Sequence, residues 1–551
     1  MKKIIKISSA ILAVFTLLIS CESTELDIID NPNGLSPEQS DPNFLLNAVQ
    51  LNFADVVQRY GTTAGEVSRI HYMFGRNYFA AYDPSSFDTR WEDTYQGTIK
   101  NIRLLNQVTV DNGLTKHTGM GQVFEAYLMV TLVDFFGDVP YSEAFDITNL
   151  NPATDSGESI YNNALGLLDQ AIVNFETDAP AEPTFDFYYQ KDWSKWIKLA
   201  NSLKLKIYMQ RRLVDPSAIS SFESIIAEGN YMTNVEDDFQ FTWGTNNTNP
   251  DTRHPIYAAN YTPTGAAGAS GYMSNWLMNQ MKNTKSVVDP RMRFYFYRQV
   301  SDVPVSEQDL RCTVEPIPAH YAAGNHVYCR IENNEGYWGR DHGNDEGLPP
   351  DGTKKTAYGL YPVGGRFDDN SFEQTDLNLG AKGNGITPIF LSSTVDFLRA
   401  EAALFGGSGD AKSFVLAGVQ KSISKVRAFI SRDIDANTSF VPGPTVDVAY
   451  LNEVGTLMDN AVGNEQKLNV IAKEFFVTLF GNGIDGYNFY RRTGAPTDIQ
   501  PNIDPNPGDY IRSFFYPASE ANTNTNVTQK DNVTTRVFWD TNPTTGFPVG
   551  N

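Results

Sequence analysis

Outside one central stretch, apolar residues recur along this chain at three- and four-residue spacing. After Asp41 and Pro42, "NFLLNAVQLNFADVVQRYG" carries Phe44, Ala48 and Leu51, with Val49 and Val56, at helical intervals, and Gly61 reads as its stop. The pattern returns in "WEDTYQGTIKNIRLLNQV" and "GMGQVFEAYLMVTLVDFFGDVPY", the second closed by Gly137 and blocked by Pro140. It continues through "SIYNNALGLLDQAIVNFE", "WSKWIKLANSLKLKIYMQRRL" and "PSAISSFESIIAEG". A second series, "STVDFLRAEAALFGG", "AKSFVLAGVQKSISKVRAFIS", "VAYLNEVGTLMDNAV" and "NEQKLNVIAKEFFVTLFGNG", lies toward the C-terminus. Short linkers between consecutive segments predict antiparallel helix pairs.

Their lengths and pairing suit tetratricopeptide-like helix pairs, although no clean repeat aligns. Between 231 and 391 the periodicity breaks into Asn-, Gly- and Pro-rich text, interrupted by one helical stretch, "GYMSNWLMNQMKN". A passive loop would not be that long, so the segment reads as an irregular, functional excursion. The expected fold is therefore mainly α: a scaffold of helix pairs with a long loop-rich excursion carrying the ligand surface. The tail from Thr493 is again rich in Pro and Asn and is expected to wrap over the helices.

The N-terminus changes the picture. "MKKIIK", the apolar "ILAVFTLLIS" and Cys21 form a basic, then hydrophobic leader too short for a stable span. A Cys at the cleavage position is similar to the bacterial lipobox, which makes Cys21 the expected lipidation site; an ordinary signal peptide is the alternative. The expected organisation is a leader at 1–20, a flexible acidic tether at 21–40 and a single helical domain at 41–551. No later run supplies the ~20 apolar residues of a membrane span. The net charge is −22 for the whole chain. Such a surface repels phosphate backbones, so nucleic acid is excluded as a partner and membrane residence falls to the lipid.

Beyond Cys21 the chain has two further cysteines, Cys312 and Cys329, with His320 and His326 between them. In an oxidising envelope a disulfide is expected, stabilising by ~3 kcal/mol. Zinc is the competing reading, although the spacing matches no finger pattern, and free thiols are the third.

No Gly-x-Ser-x-Gly elbow, His-Glu-x-x-His helix or phosphate-binding Gly-rich loop occurs. A pair of glycosidase carboxylates can always be drawn from 65 acids; Asp134 with Asp138, or Asp485, read instead as capping or surface groups. A binding protein is expected, not an enzyme.

Several blocks in combination, "FGDVPYSEAF", "WIKLANSLKLKIYMQRR", "FLRAEAALFGG", "IAKEFFVTLFGNGIDGYNFYRRTGAP" and "RSFFYPASEANTN", together with the lipobox, resemble the SusD/RagB family of Bacteroidota outer-membrane lipoproteins. The resemblance implies a lipid-anchored, cell-surface protein of the outer membrane. It would bear four tetratricopeptide-like helix pairs and sit as a lid on a TonB-dependent, SusC-like barrel. Such proteins bind glycans, or in some branches peptides, and deliver them to the barrel. Glu22, Glu25 and Asp27 look like the acidic export signal of such lipoproteins. A purely structural helical scaffold is the remaining alternative. Within the family blocks, Arg399, Glu401, Arg491 and Arg492 are expected to make structural pairs.

Sugars present apolar C–H faces bordered by hydroxyls, so a glycan platform needs exposed rings flanked by polar groups. Loop aromatics are the candidates: His71, Tyr72, Tyr78 and Tyr82; Tyr257 and Tyr261; Trp276; and Tyr337 with Trp338. The leading set is Tyr72, Trp276, Tyr337 and Trp338, with Arg340, Asp341 and His342 as polar partners in "GYWGRDHGNDEGLPPDG". Read from Asp341, that loop departs from the EF-hand pattern at three positions. No cofactor is expected; a looser calcium site using Asp341, Asn344, Asp345 and Glu346 is the alternative.

Overall fold

The computed structural model describes residues 40–543, apart from 147, 264–270, 307, 309, 332–334 and 347–350. The leader, Cys21 and all but the last residue of the tether lie outside the described residues. The longer helices are labelled α1–α12 in chain order. α1 (Pro42–Val67) buries Leu46, Val49, Phe53, Val56, Val57, Tyr60 and Ala64. Of the apolar positions at helical spacing, Val49 and Val56 lie on this buried face, while Phe44 and Leu51 face solvent, Phe44 being 75% exposed. Gly61 does not stop the helix as expected: its role is close approach, since a Cβ there would lie 2.7 Å from Asn482 Oδ1, and its carbonyl accepts from Gly483 N at 2.9 Å.

A π-helical turn, Asp93–Ile99, leads into α2 (Lys100–Asp111). α3 (Thr115–Phe136) is buried on all sides and ends at Gly137, whose φ is positive at 81°, as its Gly-Asp-Val-Pro stop predicts. α4 (Gly157–Glu176), α5 (Trp193–Arg211) and α6 (Ala218–Glu228) then pack in sequence, each on its predecessor. After the excursion come α8 (Ser392–Leu404), α9 (Ala411–Ala428), α10 (Pro444–Asn460) and α11 (Gly463–Thr478). The result is a mainly α fold of tetratricopeptide-type pairs. α12 (Ile484–Thr493), not foreseen as a helix, docks on α1, α5 and α11.

The acids and cations of the family blocks tie these helices together. Glu401 of α8 receives Arg212 at 2.8 Å and Arg492 at 2.6 Å, all three side chains nearly solvent-free. Asp134 accepts from Asn488 Nδ2 at 2.6 Å and Trp539 Nε1 at 3.0 Å; Asp485 pairs with Lys206 at 2.9 Å. Asp138 accepts from Gly157 N at 2.8 Å at the start of α4. Removing one partner from such a buried network costs more than the pair contributes, which suits scaffold.

The excursion is better ordered than its sequence suggests. β1 (Phe239–Thr242) and β4 (Ile386–Phe390) pair antiparallel from Phe239↔Phe390 to Thr242↔Ile386 and clasp its two ends. A second ribbon, β2 (Phe296–Tyr297) with β3 (Ala357–Tyr358), and α7 (Asn275–Lys282) lie inside it. Among the described residues no helix is long and apolar enough to cross a membrane.

Candidate ligand-binding site

The segment Tyr337–His342 is held by three distant stretches of chain. Arg340 N donates to Met273 O at 2.9 Å, and Asn275 N returns a bond to Arg340 O at 3.1 Å. Between them, Gly339 N donates to Asn275 Oδ1 at 3.1 Å. Only glycine fits at 339, because a Cβ would collide with the Met273 carbonyl. Trp338 N donates to Thr356 Oγ1 at 2.9 Å, and its ring nitrogen to Lys354 O at 3.0 Å.

These bonds draw the leading candidates inward. Trp338 is 0% exposed, packed with Tyr72, Tyr272, Leu310 and the Cys312–Cys329 disulfide. Tyr337 donates to Asp368 at 2.9 Å under the Arg298 guanidinium, 4.4 Å from the ring centroid. Trp276 lies edge-on to Phe476 in the core. Tyr72 spends its hydroxyl on Asn344 O. Tyr257 and Tyr261 stack on one another at 4.4 Å, both fully buried. The expected platform of exposed rings is therefore corrected: Tyr72, Trp276, Tyr337 and Trp338 pack inside, and their faces are covered by protein.

The polar candidates are likewise engaged. Arg340 reaches Glu346 at 2.9 Å and Asp351 at 3.4 Å, with Tyr272 beneath it. Asp341 accepts from Asn275 at 3.0 Å, Gln500 at 2.8 Å and the Cys329 amide at 2.6 Å. Burial pushes its pKa up to about 6 against the pull of those donors and Arg340. His342 is held well below the usual histidine range, by burial first and then by Arg69, so it is neutral and shares a hydrogen bond with Tyr78 at 3.1 Å. With these acids committed to protein donors, no group of three or more metal-ligating side chains converges among the described residues.

The solvent-facing side of the same region is different. The early loop after α1 is knitted to the excursion by Gly343 N to Met73 O at 3.0 Å, and to the C-terminal tail by Tyr78 N to Pro507 O at 2.9 Å. Ile503 N donates to His342 O at 2.8 Å. Where these three segments meet the disulfide loop, a cleft of about 510 Å³ opens, lined by Arg76, Glu315, Pro318, Tyr328, Asp345 and Asp504 among others. Tyr328 is half-buried, supported from behind by the Trp338 cluster. Burial first, then the charges of Asp341, Glu315 and Glu346, push its pKa up to about 12, so the hydroxyl stays protonated. Arg76 meets Asp345 at 2.5 Å across the mouth. Next to it in sequence, Phe74 and Phe79 are 51% and 54% exposed.

The cleft borders the early loop and the excursion that the sequence singled out, but other side chains line it: Arg76 rather than Tyr72 and Tyr78, and Tyr328 rather than Tyr337 and Trp338. Tyr328 sits one residue before Cys329, inside the span that the cysteine pair closes, and that position was the available signal.

Two family models match this chain. One, described as "Starch-binding associating with outer membrane", covers residues 32–310; the other, "Susd and RagB outer membrane lipoprotein", covers 367–540. The chain belongs to the SusD/RagB family. This SusD-like protein is similar to a SusD/RagB family protein from Bacteroides thetaiotaomicron, with TM-score 0.65 and 19% identity, over 92% of this chain and 100% of the other. It is also similar to a chitin-binding protein, with TM-score 0.64 and 18% identity, over 91% of this chain and 100% of that one. A chitin-binding SusD homolog from Flavobacterium johnsoniae gives TM-score 0.62 at 18% identity, over 91% and 99% of the two chains. At these identities the likeness is one of fold. No curated protein matches the sequence.

Proposed function

We propose that this SusD-like protein is a lipid-anchored, cell-surface glycan-binding protein that captures oligo- or polysaccharide and passes it to a SusC-like TonB-dependent barrel in the outer membrane. The observation that carries the binding half is the cleft at Tyr328. It is deep enough for one or two sugar units, with a partly exposed ring for their C–H faces and carboxylates for their hydroxyls. The family description as starch-binding and outer-membrane-associated points the same way, as do the chitin-binding names of two structural relatives. Binding rather than catalysis fits the engagement of Glu401 and Asp485 in ion pairs and of the buried Asp134 in hydrogen bonds to Asn488 and Trp539.

The test is calorimetric or affinity-gel binding of purified protein against polysaccharides and oligopeptides, repeated with Tyr328→Ala. Glycan binding weakened by Tyr328→Ala supports the proposal. Peptide binding alone would move the protein to the peptide-binding branch, silence on both panels would leave a structural scaffold, and release of reducing sugar would make it an enzyme. Co-purification with the barrel tests the transfer half.

A further inference from the structure

The cleft's rim has an unusual electrostatic composition. Glu315, Asp345, Glu346 and Asp504 face it, against Arg76 as the lining cation among the described residues. Each guanidinium in reach is already engaged: Arg76 with Asp345 at 2.5 Å, Arg340 with Glu346 at 2.9 Å and Arg311 with Glu315 at 2.8 Å. Asp504 accepts from the Asn506 amide at 2.8 Å and adds its charge to those acting on Arg76. The chain behind this rim carries a net charge of −22.

We infer that the cleft selects uncharged, hydrogen-bond-donating glycans and rejects polyuronates. This rests on the glycan-binding reading and narrows it. Carboxylates are acceptors only, so the rim recognises hydroxyl and amide donors on a sugar. A uronate would bring a further carboxylate among four, where Arg76 is the one cation lining the cleft among the described residues. To bind, it must share Arg76 with Asp345, which already offsets that charge, or displace Glu346 from Arg340, which leaves a charge in a largely enclosed place. Neutral sugars require neither step.

The probes are two sets of hexasaccharides, neutral (α- and β-linked glucose, xylose, N-acetylglucosamine) and uronate (galacturonate, mannuronate), measured calorimetrically on the whole protein at about 20 and about 300 mM NaCl. At low salt the best neutral oligomer is expected to bind at least about tenfold more tightly than any uronate. Added salt should close part of that gap by screening the repulsion while leaving the neutral ligand within about twofold. A double variant, Glu315→Gln with Asp504→Asn, checked for an unchanged melting temperature, should raise the uronate-to-neutral affinity ratio by about fivefold or more. Uronate binding as tight as neutral binding overturns the inference, as does a ratio indifferent to both salt and the double variant. Binding of neither set overturns the glycan reading itself, and this inference with it.

Discussion

The six-residue segment Tyr337–His342 and the three-residue segment Asn344–Glu346, separated by Gly343 alone, have opposite fates. The first has two large rings and a histidine, the composition of a binding platform, and is sealed into the body by Asn275, Thr356, Lys354 and Met273. The second has no ring at all and forms the rim of the cleft. The contrast teaches that in this fold the aromatic part of the excursion is foundation, and that the ligand-facing surface is assembled from shorter contributions of four segments resting on it. The Trp338 cluster supports Tyr328 from behind, so the two regions are mechanically linked although only one meets solvent.

Substitutions that separate stability from binding break or sharpen this comparison. The largest effect is expected for Trp338→Ala, which opens a cavity at a fully buried site and should cost about 3–5 kcal/mol in thermal or urea unfolding. A melting temperature within a few degrees of wild type would return Trp338 to the surface. Next comes the pH dependence of Asp341. Its folded pKa of about 6 lies above the ordinary value of 3.8, so its contribution is fully present below about pH 4 and is lost as pH rises through about 6. The stability of wild type relative to Asp341→Asn should therefore fall by about 2–3 kcal/mol between pH 4 and 7, read as the difference in melting free energy. A flat difference would mean that the three donors outweigh burial.

On the rim the order reverses, with binding affected more than folding. Tyr328→Ala should weaken glycan affinity about tenfold while shifting the melting temperature by only a few degrees, since its ring is half in solvent. Equal affinity in calorimetry would remove it from the site. The smallest effect on folding is expected for Arg76→Ala. Its pair with Asp345 is largely exposed and should contribute under about 1 kcal/mol to unfolding.

The helical scaffold was legible because one-sided helix burial imposes a period on sequence, and α4 through α6 and α8 through α11 follow it, whereas α3, buried on all sides, was legible as a long apolar run closed by its Gly-Asp-Val-Pro stop. α12 was missed because its family-like "YRRTGAP" end reads as a turn, whereas Arg491 and Arg492 complete a helix capped at Gly494. On α1 the period was legible but the buried face was not, since apolar residues lie on both faces and packing against α2, the π-helical turn, α12 and α3 chooses between them. The site was less legible for a different reason. Whether a loop ring is exposed depends on which remote groups reach it, and Trp338 and Gly339 are held by partners 16 to 64 residues away in Lys354, Thr356 and Asn275. No local pattern records that.

The Cys312–Cys329 bond encloses the exposed turn Ala322–Asn325. A protease cutting that turn would leave both halves of the polypeptide covalently joined, with Tyr328 and Glu315 on opposite sides of the nick still flanking the cleft. The nicked molecule would run as one band without reductant and as two with it. The cross-link thus acts as insurance against a single cut in this wall of the cleft.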